Sequence, residues 1–111
     1  MNARLYIKTD DIVTDLNFKE IKDKNYFEGI FDGEKYNVKI INENIVIERS
    51  LNNQKTLVNI NKNGPSNIEI INENGSILLD IKVVEIIVKN DMISTVYTID
   101  DRTSELKIEF Y

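Results

Sequence analysis

An Asn-Gly dipeptide, Asn74-Gly75, separates two runs of residues in which apolar and polar side chains alternate. Asn-Gly supplies the two positive φ angles of a type I′ turn, and the twist of that turn matches the two strands of an antiparallel hairpin. The sequence therefore predicts a hairpin with Asn74 and Gly75 as its loop. In this register one face of the hairpin is buried, and it pairs Asn72 with Ile77, Ile70 with Leu79, and Ile68 with Ile81.

The second strand of this hairpin changes its alternation partway along. Asp80 and Lys82 are polar at even positions, whereas Glu85 and Lys89 are polar at odd positions. One extra residue at Val83-Val84 explains the change, because a β-bulge adds a residue to one strand and bends it. The residues expected to share the inward face are Ile77, Leu79, Ile81, Val83, Val84, Ile86 and Val88.

Short alternating runs joined by tight turns continue through the rest of the chain. Turn signals stand at Asp32-Gly33, Glu43-Asn44, Asn52-Asn53 and Asn90-Asp91, and a longer loop contains the single proline, Pro65. The cross-strand pairs that these turns predict are Phe27 with Val38, Gly29 with Tyr36, Ile40 with Ile47, Val38 with Arg49, Ile47 with Val58, Arg49 with Thr56, Val88 with Ile93, Ile86 with Thr95, and Val84 with Tyr97. In the pair of Gly29 with Tyr36, the tyrosine ring is expected to cover the glycine.

The N-terminal part of the chain leaves two interpretations open. Leu5 to Thr9 alternates as a strand does, but residues 10–23 fit either a second strand or a helix capped by Asp11. The alternation around Leu16 and Phe18 favours the strand.

The composition limits the number of domains and the kinds of function. A chain of 111 residues is one domain, residues 1–111. It has 14 basic and 19 acidic residues and no basic cluster, so neither nucleic acid nor an anionic membrane surface is an expected partner. It has no cysteine and no histidine, which excludes thiol catalysis, histidine-containing triads and the usual zinc sites. Since no apolar run has the length of a signal peptide or a membrane span, we expect a cytoplasmic protein.

About nine or ten short strands joined by tight turns describe an all-β, antiparallel up-and-down meander. Such a sheet either closes or leaves two edges open to aggregation, and the final strand, Glu105 to Tyr111, has no proline to protect it. We therefore predict that the meander closes into a small barrel. The interior of such a barrel is filled by side chains or holds one small ligand.

The resemblance of this chain to a known family is carried by three segments, Asn44 to Arg49 (NIVIER), Glu73 to Val83 (ENGSILLDIKV) and Met92 to Ile99 (MISTVYTI). From Phe27 to the end of the chain, the pattern resembles the YwiB-like family of small calycin-like (lipocalin-type) β-barrels from Gram-positive bacteria. The resemblance implies a calycin-like barrel. It implies no chemistry, because that family has no established biochemical activity.

Inward polar residues fall at one end of the predicted barrel, and inward aliphatic residues fill the other end. The polar set is Tyr36, Arg49, Thr56, Asn72 and Tyr97. An apolar pocket with a few convergent polar groups is the usual form of a small-molecule site, so we assign these five as candidate ligand-binding residues. Arg49, for which no carboxylate partner is evident, would contact the head of a small acidic amphiphile. The tyrosines would form walls, and Thr56 and Asn72 would form hydrogen bonds. Alternatively, the five residues only end a filled core, with Arg49 extending to water.

A second hypothesis is a protein-interaction or self-assembly module, in which a strand edge of an incompletely closed barrel pairs with another strand and no ligand is bound. An enzyme is the weakest hypothesis, and we predict no catalytic residue, no metal site and no cofactor. The expected partner is a small acidic or apolar ligand, and the expected oligomeric state is a monomer or a homodimer.

Overall fold

In the computed structural model, which describes residues 1–111, the chain forms ten β-strands and no helix. The strands are β1 (Ala3–Thr9), β2 (Ile12–Phe18), β3 (Tyr26–Phe31), β4 (Glu34–Ile41), β5 (Asn44–Leu51), β6 (Gln54–Ile60), β7 (Ser66–Asn72), β8 (Gly75–Lys89), β9 (Met92–Ile99) and β10 (Arg102–Phe110). The predicted all-β meander is confirmed, and so is the strand interpretation of residues 10–23. The structure has no helix of the length and apolar character needed to cross a membrane.

Each strand pairs antiparallel with its neighbours in the sequence, except that β2 and β3 do not pair and β1 pairs with β10. The order of strands in the sheet is therefore β2, β1, β10, β9, β8, β7, β6, β5, β4 and β3. The sheet curls into a nearly closed barrel. The final strand is not left as an edge, as the predicted closure requires, because the N-terminal hairpin pairs with it. The two terminal strands of the sheet are β2 and β3.

Aromatic side chains, rather than a ladder of backbone hydrogen bonds, close the gap between β2 and β3. Phe18 at the end of β2 packs edge-on against Phe27 and Phe31 of β3, with ring centroids 4.9 Å apart in both pairs. We call these three residues the aromatic seam. A Cβ atom at Gly29 would lie 2.9 Å from the ring of Phe31 and 3.1 Å from that of Phe18. The rings of Phe31 and Phe18 are thus the side chains nearest to the glycine, which faces Tyr36 on the neighbouring strand.

The core occupies the barrel interior, where side chains alternate between inside and outside along each strand. Sixteen buried apolar residues form one cluster. Those with no exposed surface are Ala3, Leu5, Val38, Ile45, Ile60, Leu106 and Ile108. The buried apolar face predicted from the sequence is therefore confirmed over most of its length.

Three of the predicted registers are confirmed, and in the pairing of β8 with β9, Val88 faces Ile93 and Ile86 faces Thr95 as expected. In the hairpin of β3 and β4, Asp32 and Gly33 both have positive φ (52° and 81°), as a type I′ turn requires, and Gly29 faces Tyr36. In the pairing of β5 with β6, Ile47 faces Val58 and Arg49 faces Thr56.

The hairpin of β4 and β5 is shifted by two residues from its predicted register. The left-handed turn positions are Asn42 and Glu43, with φ of 50° and 69°, so the loop begins one residue earlier than expected. Asparagine adopts this conformation more readily than most residues, which favours Asn42 as the first turn position. As a result, Arg49 faces Tyr36 instead of Val38. A shift of two keeps each side chain on its predicted face.

The hairpin of β7 and β8 is also shifted by two residues, because the loop is Glu73-Asn74 and Asn72 faces Gly75 instead of Ile77. The Asn72 Oδ1 accepts a hydrogen bond from the backbone N–H of Asn74 at 2.8 Å. This Asx turn competes with the predicted type I′ turn, and of the two residues in the Asn-Gly dipeptide only Gly75 has positive φ. The resulting pairs include Ile70 with Ile77 and Ile68 with Leu79.

The predicted bulge in β8 is confirmed between Val83 and Glu85. Val84 is the extra residue and is exposed, so Val83 rather than Val84 faces Tyr97. On the far side of the bulge, the hydroxyl of buried Thr95 donates a hydrogen bond to the Glu85 carbonyl oxygen at 2.8 Å. This contact holds the strand where its ladder is interrupted.

The two parts of β8 have different neighbours, since residues 75–81 pair with β7 and residues 82–89 pair with β9. Each part therefore lacks a neighbour on one side. Ile77, Leu79 and Val88 have exposed fractions of 59%, 38% and 41%. The prediction that these three residues are buried is wrong, as is the inward placement of Val84, because β9 does not reach the first part of β8 and β7 does not reach the second.

Candidate ligand site at the polar end of the barrel

The loops after β1, β3, β5, β7 and β9 all lie at one end of the barrel, which we call the mouth. A cavity of about 210 Å³ lies inside the mouth. Its hydrophobic wall consists of Ile7, Ile12, Tyr36, Ile47, Val58 and Tyr97, and its polar wall consists of Thr9, Thr14, Arg49 and Thr56. Four of the five residues predicted to bind a ligand are therefore brought together around one space.

Glu34 on β4 holds the Arg49 guanidinium in place. Nε–H of Arg49 donates to Oε2 of Glu34 at 2.5 Å, and Nη2–H donates to Oε1 at 2.8 Å. The Tyr36 hydroxyl donates to the same Oε2 at 2.9 Å. The expectation that Arg49 lacks a carboxylate partner is wrong, because Arg49 faces Tyr36 and Glu34 is the next inward residue along that strand.

The ion pair lies at the rim of the cavity, partly in contact with water. The Arg49 side chain is 51% exposed, and that of Glu34 is 17% exposed. The Arg49 hydrogen bonds hold the pKa of Glu34 below its ordinary value of 4.5, although desolvation acts in the opposite direction. Burial raises the pKa of Tyr36 and of Tyr97. At neutral pH the mouth therefore combines a fixed ion pair with two neutral phenols.

The ion pair predicts how stability depends on pH. Because the pKa of Glu34 is lower in the folded than in the unfolded state, its contribution is present above the unfolded value of 4.5 and is lost as pH falls through the folded value. Between about pH 6 and about pH 3, the wild type should lose more unfolding free energy than Glu34→Gln. Urea unfolding across this range measures the difference, and parallel profiles for the two proteins would contradict the prediction.

Asn72 lies beside the cavity rather than in its wall. It lines a more open depression of about 490 Å³ near the tips of the β5–β6 and β7–β8 hairpins. Arg49 and Thr56 line both this depression and the cavity. Since Asn72 Oδ1 is engaged by its own turn, the amide nitrogen is the group that remains available to a ligand.

The N-terminal hairpin contributes four cavity residues that the sequence-based assignment missed, Ile7, Thr9, Ile12 and Thr14. Thr9 Oγ1 lies 2.6 Å from Ser104 Oγ, which fixes β1 against β10 at the mouth. The alternation of β1 marks Ile7 and Thr9 as inward residues. Only the pairing of β1 with β10 places them beside the residues of β4 to β6.

The opposite end of the barrel is sealed by side chains. Buried residues there include Ala3, Phe18, Phe27, Ile40, Ile45, Ile60, Ile93 and Phe110. The predicted aliphatic seal is confirmed for Ile40, Ile45, Ile60 and Ile93 but not for exposed Val88, and phenylalanines complete it. In the whole chain, no group of three or more Asp, Glu, His or Cys side chains is arranged to hold a metal ion.

These features define a class of protein, a small antiparallel meander barrel that is nearly closed, sealed at one end and hollow at the other. Among solved structures, the chain is similar to the YwiB protein from Bacillus subtilis, with a TM-score of 0.56, 15% sequence identity, and coverage of 99% of this chain and 89% of that chain. At this identity, the likeness shows the fold alone. No family model matches the sequence, and no curated protein matches it significantly. The resemblance to the YwiB-like barrel is thus confirmed at the level of the fold.

Proposed function

We propose that this protein is a calycin-type barrel that binds a small acidic amphiphile at its mouth. The observation that carries the proposal is the cavity itself, where apolar residues lie beside Arg49, Thr56 and two tyrosines. A concave apolar site with a few convergent polar groups is how proteins usually bind small molecules.

Arg49 would contact the acidic head group. A guanidinium has more N–H donors than the two that Glu34 accepts, and the remaining donors can bind an oxygen of a ligand. Glu34 fixes the orientation of the guanidinium, which lowers the entropic cost of ordering this side chain when a ligand binds. Its negative charge also opposes an anionic ligand, so the affinity is set by the balance between these two effects.

The size of the cavity limits the ligand. At about 210 Å³, it is smaller than the typical range for ligand pockets, roughly 300–1,000 Å³. A short acyl chain fits this description better than a long one or a fused ring system. Octanoate is therefore a suitable probe, and 1-octanol is its uncharged counterpart.

Calorimetric titrations of octanoate into three variants test the proposal. Arg49→Met should weaken binding by about tenfold or more, because a charge-assisted hydrogen bond is lost. Glu34→Gln should strengthen binding, because removal of the opposing charge outweighs the weaker orientation of Arg49 by the one remaining acceptor oxygen. The matched control is Arg4→Met, since Arg4 forms a similar fork with Asp15 away from the cavity, and it should bind as the wild type does.

Two results would contradict this proposal. Octanoate binding that is unchanged in Arg49→Met would exclude Arg49 as the anion contact. Equal affinity for 1-octanol and octanoate would show that the mouth does not recognise an acidic group.

A further inference from the structure

The first part of β8, Gly75–Asp80, has a neighbouring strand on one side only. It pairs with β7 on one side, while the pairing with β9 begins only at Lys82. None of the five backbone hydrogen bonds outside the strand ladders involves this segment. We call Gly75–Asp80 the free edge.

The free edge has few of the features that usually prevent strands from pairing with other chains, and its only charged residue is Asp80 at one end. Ile77 and Leu78 are each more than half exposed, and Leu79 is partly exposed. The segment contains no lysine, no proline and no bulge. By comparison, the edges at β2 and β3 carry Asp15 and Glu28 near their centres and are partly covered by the aromatic seam.

We propose that the free edge pairs antiparallel with the free edge of a second copy of this chain, with the two-fold axis at Leu78. An isologous contact of this kind is the commonest way in which identical subunits associate. Leu78 then faces Leu78 of the other copy, Ile77 faces Leu79, and Ser76 faces Asp80. Apolar residues meet apolar residues, and the carboxylate meets a hydroxyl that can donate a hydrogen bond to it.

Adjacent two-fold registers are less complementary. An axis at Leu79 places Leu78 against Asp80, which buries a carboxylate beside an aliphatic side chain. An axis at Ile77 places Leu78 against Ser76 and Leu79 against Gly75. The axis at Leu78 alone pairs all three apolar residues with apolar residues and brings no like charges together.

Pairing also continues an apolar face that each copy already has. Within one copy, Ile70 faces Ile77 and Ile68 faces Leu79 across the β7–β8 ladder. In the paired edges, these residues form two continuous rows across four strands, each running through Ile70, Ile77, Leu79 and Ile68. Exposed apolar surface on the hairpin is thereby removed from water, which supplies the driving force.

Single cysteines test both the pairing and its register, since the natural chain has no cysteine. Under mild oxidation, Leu78→Cys should form a covalent dimer about tenfold faster or more than Ile87→Cys, an exposed control in the second part of β8, because only directly opposed residues fall within disulfide reach. Ile77→Cys and Leu79→Cys should each cross-link slowly alone and rapidly as an equimolar mixture.

Sedimentation equilibrium supplies an independent measurement. The wild-type mass should rise towards that of a dimer as concentration increases, whereas Leu78→Lys should remain monomeric because two like charges would face each other. Ile87→Lys should associate as the wild type does. A wild type that remains monomeric at all concentrations, association that persists in Leu78→Lys, or equal cross-linking rates for Leu78→Cys and Ile87→Cys would each overturn the proposal.

Discussion

Replacing Leu106 with alanine should lower the free energy of unfolding by about 2–5 kcal/mol, the usual cost of truncating a buried leucine. Leu106 has no exposed surface and lies on β10, between Ile7 of β1 and Thr95 of β9. Strands on both sides limit the collapse of the cavity that the substitution leaves, so the cost should lie in the upper part of this range.

The matched control is the same substitution at Leu79, which the alternation of the sequence places on the inward face. Because Leu79 lies on the free edge and remains partly exposed, Leu79→Ala should cost only about 1–2 kcal/mol. Urea unfolding at a concentration where the wild type is monomeric measures both values. Equal losses for the two variants would mean that the first part of β8 is packed inside the barrel.

Replacing Phe18 with alanine should cost about 3–5 kcal/mol, as expected for a buried phenylalanine. Phe18 is almost fully buried and takes part in both edge-on ring contacts of the aromatic seam. Since no backbone ladder joins β2 to β3, this loss should act locally as well as globally. The barrel should open between its two edge strands before the rest of the molecule unfolds.

Amide hydrogen exchange distinguishes this local opening from general destabilisation. In Phe18→Ala, protection should fall more in β2 and β3 than in β9 and β10. Leu106→Ala is the comparison, because it lowers global stability with the seam intact and should reduce protection across the barrel. A uniform loss of protection in Phe18→Ala would contradict the view that aromatic packing closes the barrel.

Much of the fold could be predicted from local sequence patterns. Alternation identifies the strands, the Asp32-Gly33 turn sets its own register, and the parity change in β8 locates the bulge at Val83-Val84. Two registers were off by two residues, because asparagine side chains and left-handed turn positions can move a loop by one residue without changing which face is buried.

The remaining features depend on contacts between distant parts of the chain. The pairing of β1 with β10 brings Ile7 and Thr9 to the mouth, and no local pattern indicates it. The partner of Arg49 was missed for a related reason, since a register error of two residues moved Glu34 out of reach. Ile77 is exposed because β9 pairs with β8 only from Lys82 onwards. The alternation of residues within β8 does not show how far its neighbour extends.

The most direct test of the ligand site is an NMR titration of the ¹⁵N-labelled protein with octanoate. Binding at the mouth should produce saturable shifts of the amides of Tyr36, Arg49, Thr56 and Tyr97, while amides at the sealed end, such as that of Ile45, stay unchanged. The Arg49→Met variant should lose these shifts under the same conditions. The absence of saturable shifts at the mouth, or saturable shifts centred on the sealed end or on the free edge, would contradict the account.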